Sequence, residues 1–250
     1  MKAQILDDME LERARGITIK ARTVAIKHQR GKDKFELNLI DTPGHVDFQY
    51  EVSRSLACCE GVLLLADAAQ GVEAQTVANA FAVMEHDLVI IPVINKIDLV
   101  NARPAEVALE MEQTLGIDAA DVICVSAKTG EGIQELLDAI VDRIPPPEGD
   151  PGQPLQAMVF DSHYDKFRGA ITYARLMNGR IEKGQKMRFL RGGTTHDVTE
   201  VGQFTPQRTP CDALSAGQVG YIVGNIKSID LVHVGDTVSV PGESAAQPLP

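Results

Sequence analysis

The run Asp41-Thr42-Pro43-Gly44-His45 puts an acid, a Pro-Gly turn and an imidazole in five consecutive positions. The Asp41 carboxylate can hold Mg²⁺ through water, and the Gly44 N–H can meet an oxygen of a terminal phosphate. His45 can order an attacking water. A second group is Asn95-Lys96-Ile97-Asp98. An ionised carboxylate only accepts, so Asp98 can take both the N1–H and the 2-amino group of guanine. Adenine lacks that donor pair, so this chemistry selects GTP over ATP. Lys96 can lay its alkyl stem over the base. A third group, Ser126-Ala127-Lys128, offers backbone N–H groups to the guanine O6. Each fragment alone is a common loop sequence; their order, each after an apolar strand, makes them informative together.

The elements that would carry these groups alternate. Apolar runs at 35–40, 62–66, 88–94 and 122–125 read as strands, and Thr18 to His28 reads as extended. Between strands lie amphipathic helices. Ile133, Leu136, Leu137, Ile140 and Val141 recur at helical spacing after the Thr129-Gly130-Glu131-Gly132 turn. Pro104 to Leu115 reads as another helix, with Pro at its start and Gly116 past its end. The alternation implies a mostly parallel sheet covered on both faces, whose ligands bind at the carboxyl ends of the strands.

Residues 145–154, rich in Pro and Gly, cannot sustain a helix and read as a linker. Beyond it, short strand-like runs at 155–161, 170–176, 186–190, 198–204, 219–223 and 237–240 alternate with Gly-bearing turns. That pattern predicts a closed β-barrel. The expected organisation is therefore a partial GTP-binding α/β domain over 1–147, a linker over 148–154, an all-β barrel over 155–240 and a loose tail over 241–250.

With the three motifs in this order the chain resembles the translational GTPases. The segment Gln4 to Lys20, containing Arg15-Gly16-Ile17-Thr18, is similar to switch I of the ribosomal translocation-type factors. Its wording, with Phe204-Thr205-Pro206-Gln207-Arg208 and the stretch Gly220 to Lys227, is nearest the elongation factor 4 (LepA) type. The likeness runs from about Met1 to Val240. It implies GTP or GDP and Mg²⁺ as cofactors. It makes Thr18 a switch I ligand of Mg²⁺ and the γ-phosphate, Asp41 a second metal-site residue, and Ile17 one wing of a hydrophobic gate beside the catalytic His45. It implies GTP hydrolysis on the ribosome, with contacts to large-subunit rRNA and the small subunit and an effect on elongation: tRNAs moved backward, fidelity altered or stalled ribosomes rescued. A monomer in the cytoplasm is expected, and the resemblance allows peripheral association at the inner face of the cell membrane.

One component of such a site is not among these residues. The family needs G-x-x-x-x-G-K-[ST] ahead of switch I. Gly179 to Gly184 is the nearest match, but Gln185 stands where Lys is required. A chain truncated at its start, and lacking the family's later domains, is the expectation. The rival reading is a non-catalytic fragment that binds guanine weakly or docks on the ribosome.

Composition sets the remaining bounds. A 44% apolar content is enough for globular cores, and no run of about 18 apolar residues exists to span a membrane. The net charge of −11 argues against non-specific nucleic-acid binding, and no DNA partner is expected. Residues 1–147 hold 24 acids and 14 Lys or Arg, so the acidity sits mostly there. Lys183, Lys186, Arg188 and Arg191 form a local basic cluster that is either a solvated surface or an RNA contact. Tyr164 and Phe167 are expected to pack at a domain interface, with a ribosomal contact as the other reading. Cys58, Cys59, Cys124 and Cys211 show no C-x-x-C pair and read as buried free thiols.

Overall fold

A computed structural model describes residues 18, 20–45, 48–205, 207–242 and 247–249. The first strands, β1 (Arg22–Arg30) and β2 (Asp33–Asp41), form an antiparallel hairpin whose ladder runs from Arg22 opposite Asp41 to Arg30 opposite Asp33. Helix α1 (Gln49–Leu56) follows, then β3 (Gly61–Asp67), α2 (Ala74–Met84), β4 (Val89–Asn95), α3 (Pro104–Leu115), β5 (Ile123–Cys124) and α4 (Ile133–Arg143). Strands β3, β4 and β5 make a parallel sheet in that order. Ile91, Val93 and Ile94 of β4 are almost fully buried because helices cover both faces. On one face Leu64, Ala66 and Ile94 meet Val107 and Met111 of α3. On the other, Ile91 and Val93 meet Leu136 and Ile140 of α4. Helix α3 has the expected ends: Pro104 opens it, and Gly116 closes it at φ +71°, a left-handed value that suits glycine.

Among the described residues the β1–β2 hairpin is a sheet of its own rather than part of the parallel sheet. It finds partners elsewhere. Leu37 packs on the α4 cluster, the buried His28 meets Asp138 at 2.9 Å, and Arg30 pairs with Asp142.

The second half is all β. Its strands are β6 (Gln156–Asp165), β7 (Gly169–Asn178), β8 (Arg180–Glu182), β9 (Lys186–Phe189), β10 (Thr195–Asp197), β11 (Glu200–Phe204), β12 (Arg208–Cys211), β13 (Ala213–Ser215), β14 (Val219–Ile226) and β15 (Thr237–Ser239). Eight of them form an antiparallel sheet in the order β10-β9-β15-β6-β7-β14-β11-β12, and β13 pairs with β8. The sheet curls until β10 lies against β14, the architecture of a barrel. The strand alternation of period two gives it two apolar faces. Ala157 and Val159 of β6 point inward with Leu176, Phe189 and Ile222. Met158 and Phe160 point to the opposite face with Ile171, Tyr173, Phe204 and Tyr221, and there they receive Cys58 and Ile40 from the first half.

Several local expectations are corrected. Phe167 does not pack at an interface: it is 99% exposed at the turn between β6 and β7, where Asp165 Oδ1 accepts the Phe167 and Arg168 N–H groups. In the tail, Gln247 O accepts from Gln156 Nε2 at 3.1 Å. The Leu249 N–H donates to Thr237 Oγ1 at 2.8 Å, and its side chain joins the outer apolar cluster. All four thiols are free, but only Cys58 is buried; burial pushes its thiol up to about 12. The basic cluster lies partly on β9, where Lys186 and Arg188 face out while Met187 and Phe189 face in, and Lys186 pairs with Asp197 at 2.7 Å. No helix among the described residues is long and apolar enough to cross a membrane.

Candidate functional site

The parallel register sets Asp67, last residue of β3, directly beside Asn95, last residue of β4. Strand β5 ends just before Ser126, and the Val125 N–H donates to Ile94 O at 2.8 Å. Three strand ends therefore present the second and third motifs at one edge, the edge where sheets of this kind bind ligands.

Asn95 ties the two loops together. Its Oδ1 accepts the Lys96 N–H at 2.7 Å and the Ala127 N–H at 3.0 Å. Lys96 stands at φ +68°, a left-handed value uncommon for a residue with a side chain. That conformation is held by the Asn95 bond at one end and by Asp67 at the other, where Lys96 Nζ lies 2.6 Å from Asp67 Oδ2. Burial pushes the Asp67 carboxyl up, but the bonds from Lys96, Ala69 and Gln70 outweigh it and hold it below the usual carboxylate range. The sequence reading missed Asp67. Its signal was a strand ending in an acid, the same signature that marks Asp41.

Asp98 is held by the other loop. Ser126 Oγ, fully buried, donates to Asp98 Oδ1 at 2.7 Å, and Lys128 Nζ lies 3.5 Å from Asp98 Oδ2. The Ser126 bond is the chief cause that keeps this carboxyl below its ordinary range; partial burial opposes it, and Lys128 adds to it. The expectation that the Ser126–Lys128 N–H groups face O6 needs adjustment for two of them. The Ser126 N–H donates to Glu131 O at 2.9 Å, and the Ala127 N–H is taken by Asn95. The turn that follows depends on Gly132, at φ +73°, where a Cβ would lie 2.3 Å from Cys124 O.

The first motif lies at the end of the hairpin. Asp41 closes β2 and is exposed, Pro43 is buried, Gly44 is exposed and His45 is half-buried. Beyond the Gly44 Cα is open space, so its backbone can be approached closely. The Phe48 N–H donates to His45 O at 3.0 Å, and the two rings meet edge to face at 6.2 Å. The hairpin ladder ends with Arg22 opposite Asp41, and Thr18, four residues earlier in the chain, is half-buried. Ile17 lies outside the described residues.

This donor set fits the group the sequence suggests. Asp41 and Thr18 offer hard oxygens, and Mg²⁺ is commonly held by one or two such ligands together with substrate phosphates and water. No cluster of three or more His, Cys, Asp or Glu suited to a metal exists among the described residues. At the base end, a carboxylate kept ionised beside a flexible lysine fits guanine.

Comparison with known proteins adds a separate line. Residues 1–146 match the family described as the elongation factor Tu GTP binding domain, and residues 169–239 match elongation factor Tu domain 2. The chain is 68% identical over 249 residues to elongation factor 4 1 of Rhodopirellula baltica, covering all of this chain and 41% of that protein. It is 54% identical to elongation factor 4 of Desulfitobacterium hafniense, covering 42% of it, and 52% identical to that of Bacillus cytotoxicus, covering 41%. The chain thus spans about two fifths of the length of these curated relatives.

Proposed function

The chain belongs to the translational GTPases that carry the elongation factor Tu GTP-binding domain, and from that premise we propose that it supplies base recognition and γ-phosphate sensing to a ribosome-dependent GTPase of the elongation factor 4 type. The observation that supports this most directly is the Asp98 carboxylate, held by Ser126 and Lys128 at the edge where β4 and β5 end. Asp98 accepts from the guanine N1–H and 2-amino group. Asn95 fixes the loop that carries Asp98, and Lys96 covers the base with its alkyl stem. Ala127 and Lys128 border the O6 side.

At the other end Thr18 and Asp41 hold Mg²⁺, which when bound neutralises charge on the phosphates. Gly44 donates its N–H to a γ-phosphate oxygen. His45 orients the attacking water. Hydrolysis in this class rests on positioning and charge. Docking on the ribosome, through large-subunit rRNA and the small subunit, completes the arrangement, and elongation in the cytoplasm is its setting. We propose that its output bears on elongation, as backward movement of tRNAs, fidelity or rescue of stalled ribosomes.

A second reading rests on the sequence itself. The 250 residues contain no G-x-x-x-x-G-K-[ST] run, so by themselves they are expected to recognise the base weakly and to release no phosphate. One experiment addresses both readings. In a chimera, these residues replace the matching stretch of the Rhodopirellula baltica protein. Asp98→Asn should weaken GTP binding roughly 10- to 100-fold, the worth of a charged hydrogen bond, and should improve binding of xanthosine triphosphate. Competition binding reads the ratio. An unchanged preference removes Asp98 from the base site, and ribosome-stimulated phosphate release by the 250 residues alone overturns the second reading.

A further inference from the structure

The phosphate-facing run is bracketed by contacts to the barrel. Just before it, Ile40 packs into the outer cluster of Met158, Phe160 and Tyr173. Just after α1, Cys58 enters the same cluster, its Sγ 3.4 Å from Met158 Sδ. Between Cys58 and the barrel stands Arg175 of β7, a charged side chain only 4% exposed. Its Nη1 donates to Cys58 O at 2.7 Å, and its Nη2 pairs with Glu60. Nearer the switch segment, Lys20 Nζ reaches Asp161 at 3.1 Å and Ser162 O at 2.8 Å.

A buried guanidinium has to be fully partnered, because an unpaired buried charge is costly. Arg175 takes both partners from the chain that leaves α1, one a backbone carbonyl that no side-chain substitution there can remove. The geometry is a clasp: a fixed point on a barrel strand grips the connection between α1 and β3, at Cys58 and Glu60, just past the helix that follows His45. We propose that Arg175 is a positioning residue for the phosphate-facing run, fixing the chain just past α1 so that the barrel sets where Asp41 to His45 stand. Its consequence for hydrolysis rests on the function proposed above; the clasp itself does not.

The test begins with amide hydrogen exchange on the 250-residue chain. Arg175→Ala should raise exchange in α1 by roughly 10-fold or more, the scale set by one charged hydrogen bond. Amides of β4 should stay within about 2-fold, since their protection comes from the parallel sheet. Arg175→Lys keeps the charge and should recover part of the protection. An equal rise in α1 and β4 would show a general loss of stability and overturn the clasp, as would no change in α1. Should Arg175→Ala not fold, Glu60→Ala removes one of the two contacts at a half-buried site, and the same selective rise in α1 is required of it.

The chimera supplies the functional arm. There Arg175→Ala should lower ribosome-stimulated kcat, with GDP affinity unchanged and partial rescue by Lys. Unchanged kcat alongside the exchange response would refute the positioning role. A parent chimera that binds no guanine nucleotide would refute the proposed function and leave the clasp to stand on exchange alone.

Discussion

At the base corner the polar partners of Asn95, Lys96, Asp98 and Ser126 all come from residues 67–131. The phosphate-facing edge is held differently. Glu36 of β2 accepts from Gln203, 167 positions away; Lys20 reaches Ser162, 142 away; Arg175 pairs with Glu60, in the connection after α1, from 115 away. One half of the site is built by its own loops on a packed sheet, and the other is braced by a second domain. The contrast has a functional reading. Base recognition is fixed locally and should survive changes in the barrel. The phosphate edge takes its geometry from a contact between domains, and such contacts are the kind that rearrange.

The largest effect expected from breaking the comparison is at His45. In the chimera, His45→Ala should lower ribosome-stimulated hydrolysis by roughly 10²-fold or more, the contribution of a positioned group acting on a proton or water. GTP and GDP affinities should hardly move, because base and phosphate ligands remain. Single-turnover phosphate release with and without ribosomes measures it. If affinity fell along with turnover, His45 would belong to the binding apparatus and the division between the two halves would blur.

A smaller effect tests the self-sufficiency of the base corner. Gly132 opens α4 at φ +73°, and a Cβ there would stand 2.3 Å from Cys124 O. Gly132→Ala should therefore cost about 1–3 kcal/mol, from the left-handed backbone and the forced shift of β5. Thermal melts of the 250-residue chain give the size, and exchange gives the place. Loosening should centre on residues 123–131 and spare α1, the mirror image of the Arg175 result. Loosening of both regions together would show that the two halves share one brace.

The same contrast explains what the sequence disclosed. That Asn95, Lys96 and Asp98 share one strand-end loop was legible because they fall within four consecutive positions after an apolar strand. Helix α3 was legible because Pro104 and Gly116 mark both ends. Asp67 was not, since its link to Lys96 depends on a strand register that no local pattern states. The bracing of the segment around Asp41 to His45 was not legible either: no local pattern links Arg175 to Glu60 or Lys20 to Asp161, which are far apart in the chain. In the barrel, β8, β10, β12 and β13 escaped notice because they offer no apolar run: Thr195–Asp197 has no apolar residue, and Arg180–Glu182 only Ile181. Strand β12 also contains Pro210, tolerated because β12 is the last strand in its sheet. Phe167 was misjudged because an aromatic at a hairpin tip looks the same in sequence whether it packs or stands in solvent.

The finest test concerns a single bond within the base corner. Ser126 is buried and donates to Asp98, and that bond is the chief reason the Asp98 carboxyl sits below its ordinary range. A carboxyl depressed in the folded state adds stability above the ordinary range, near pH 4, and loses that contribution as pH falls through the depressed value. Ser126→Ala removes the donor without adding bulk, and removes as well the acceptor of the Thr129 N–H at 3.1 Å. The Asp98 midpoint should then rise toward the ordinary value, with Lys128 still holding part of the depression. The acid limb of guanine binding should move up with it, while binding at neutral pH changes little because Asp98 stays ionised there. Carbon-detected titration of the Asp98 carboxyl in the 250-residue chain reads the midpoint directly. An unmoved midpoint would mean that Ser126 shapes the loop without tuning the carboxylate, and Lys128→Met would then be the substitution expected to shift it.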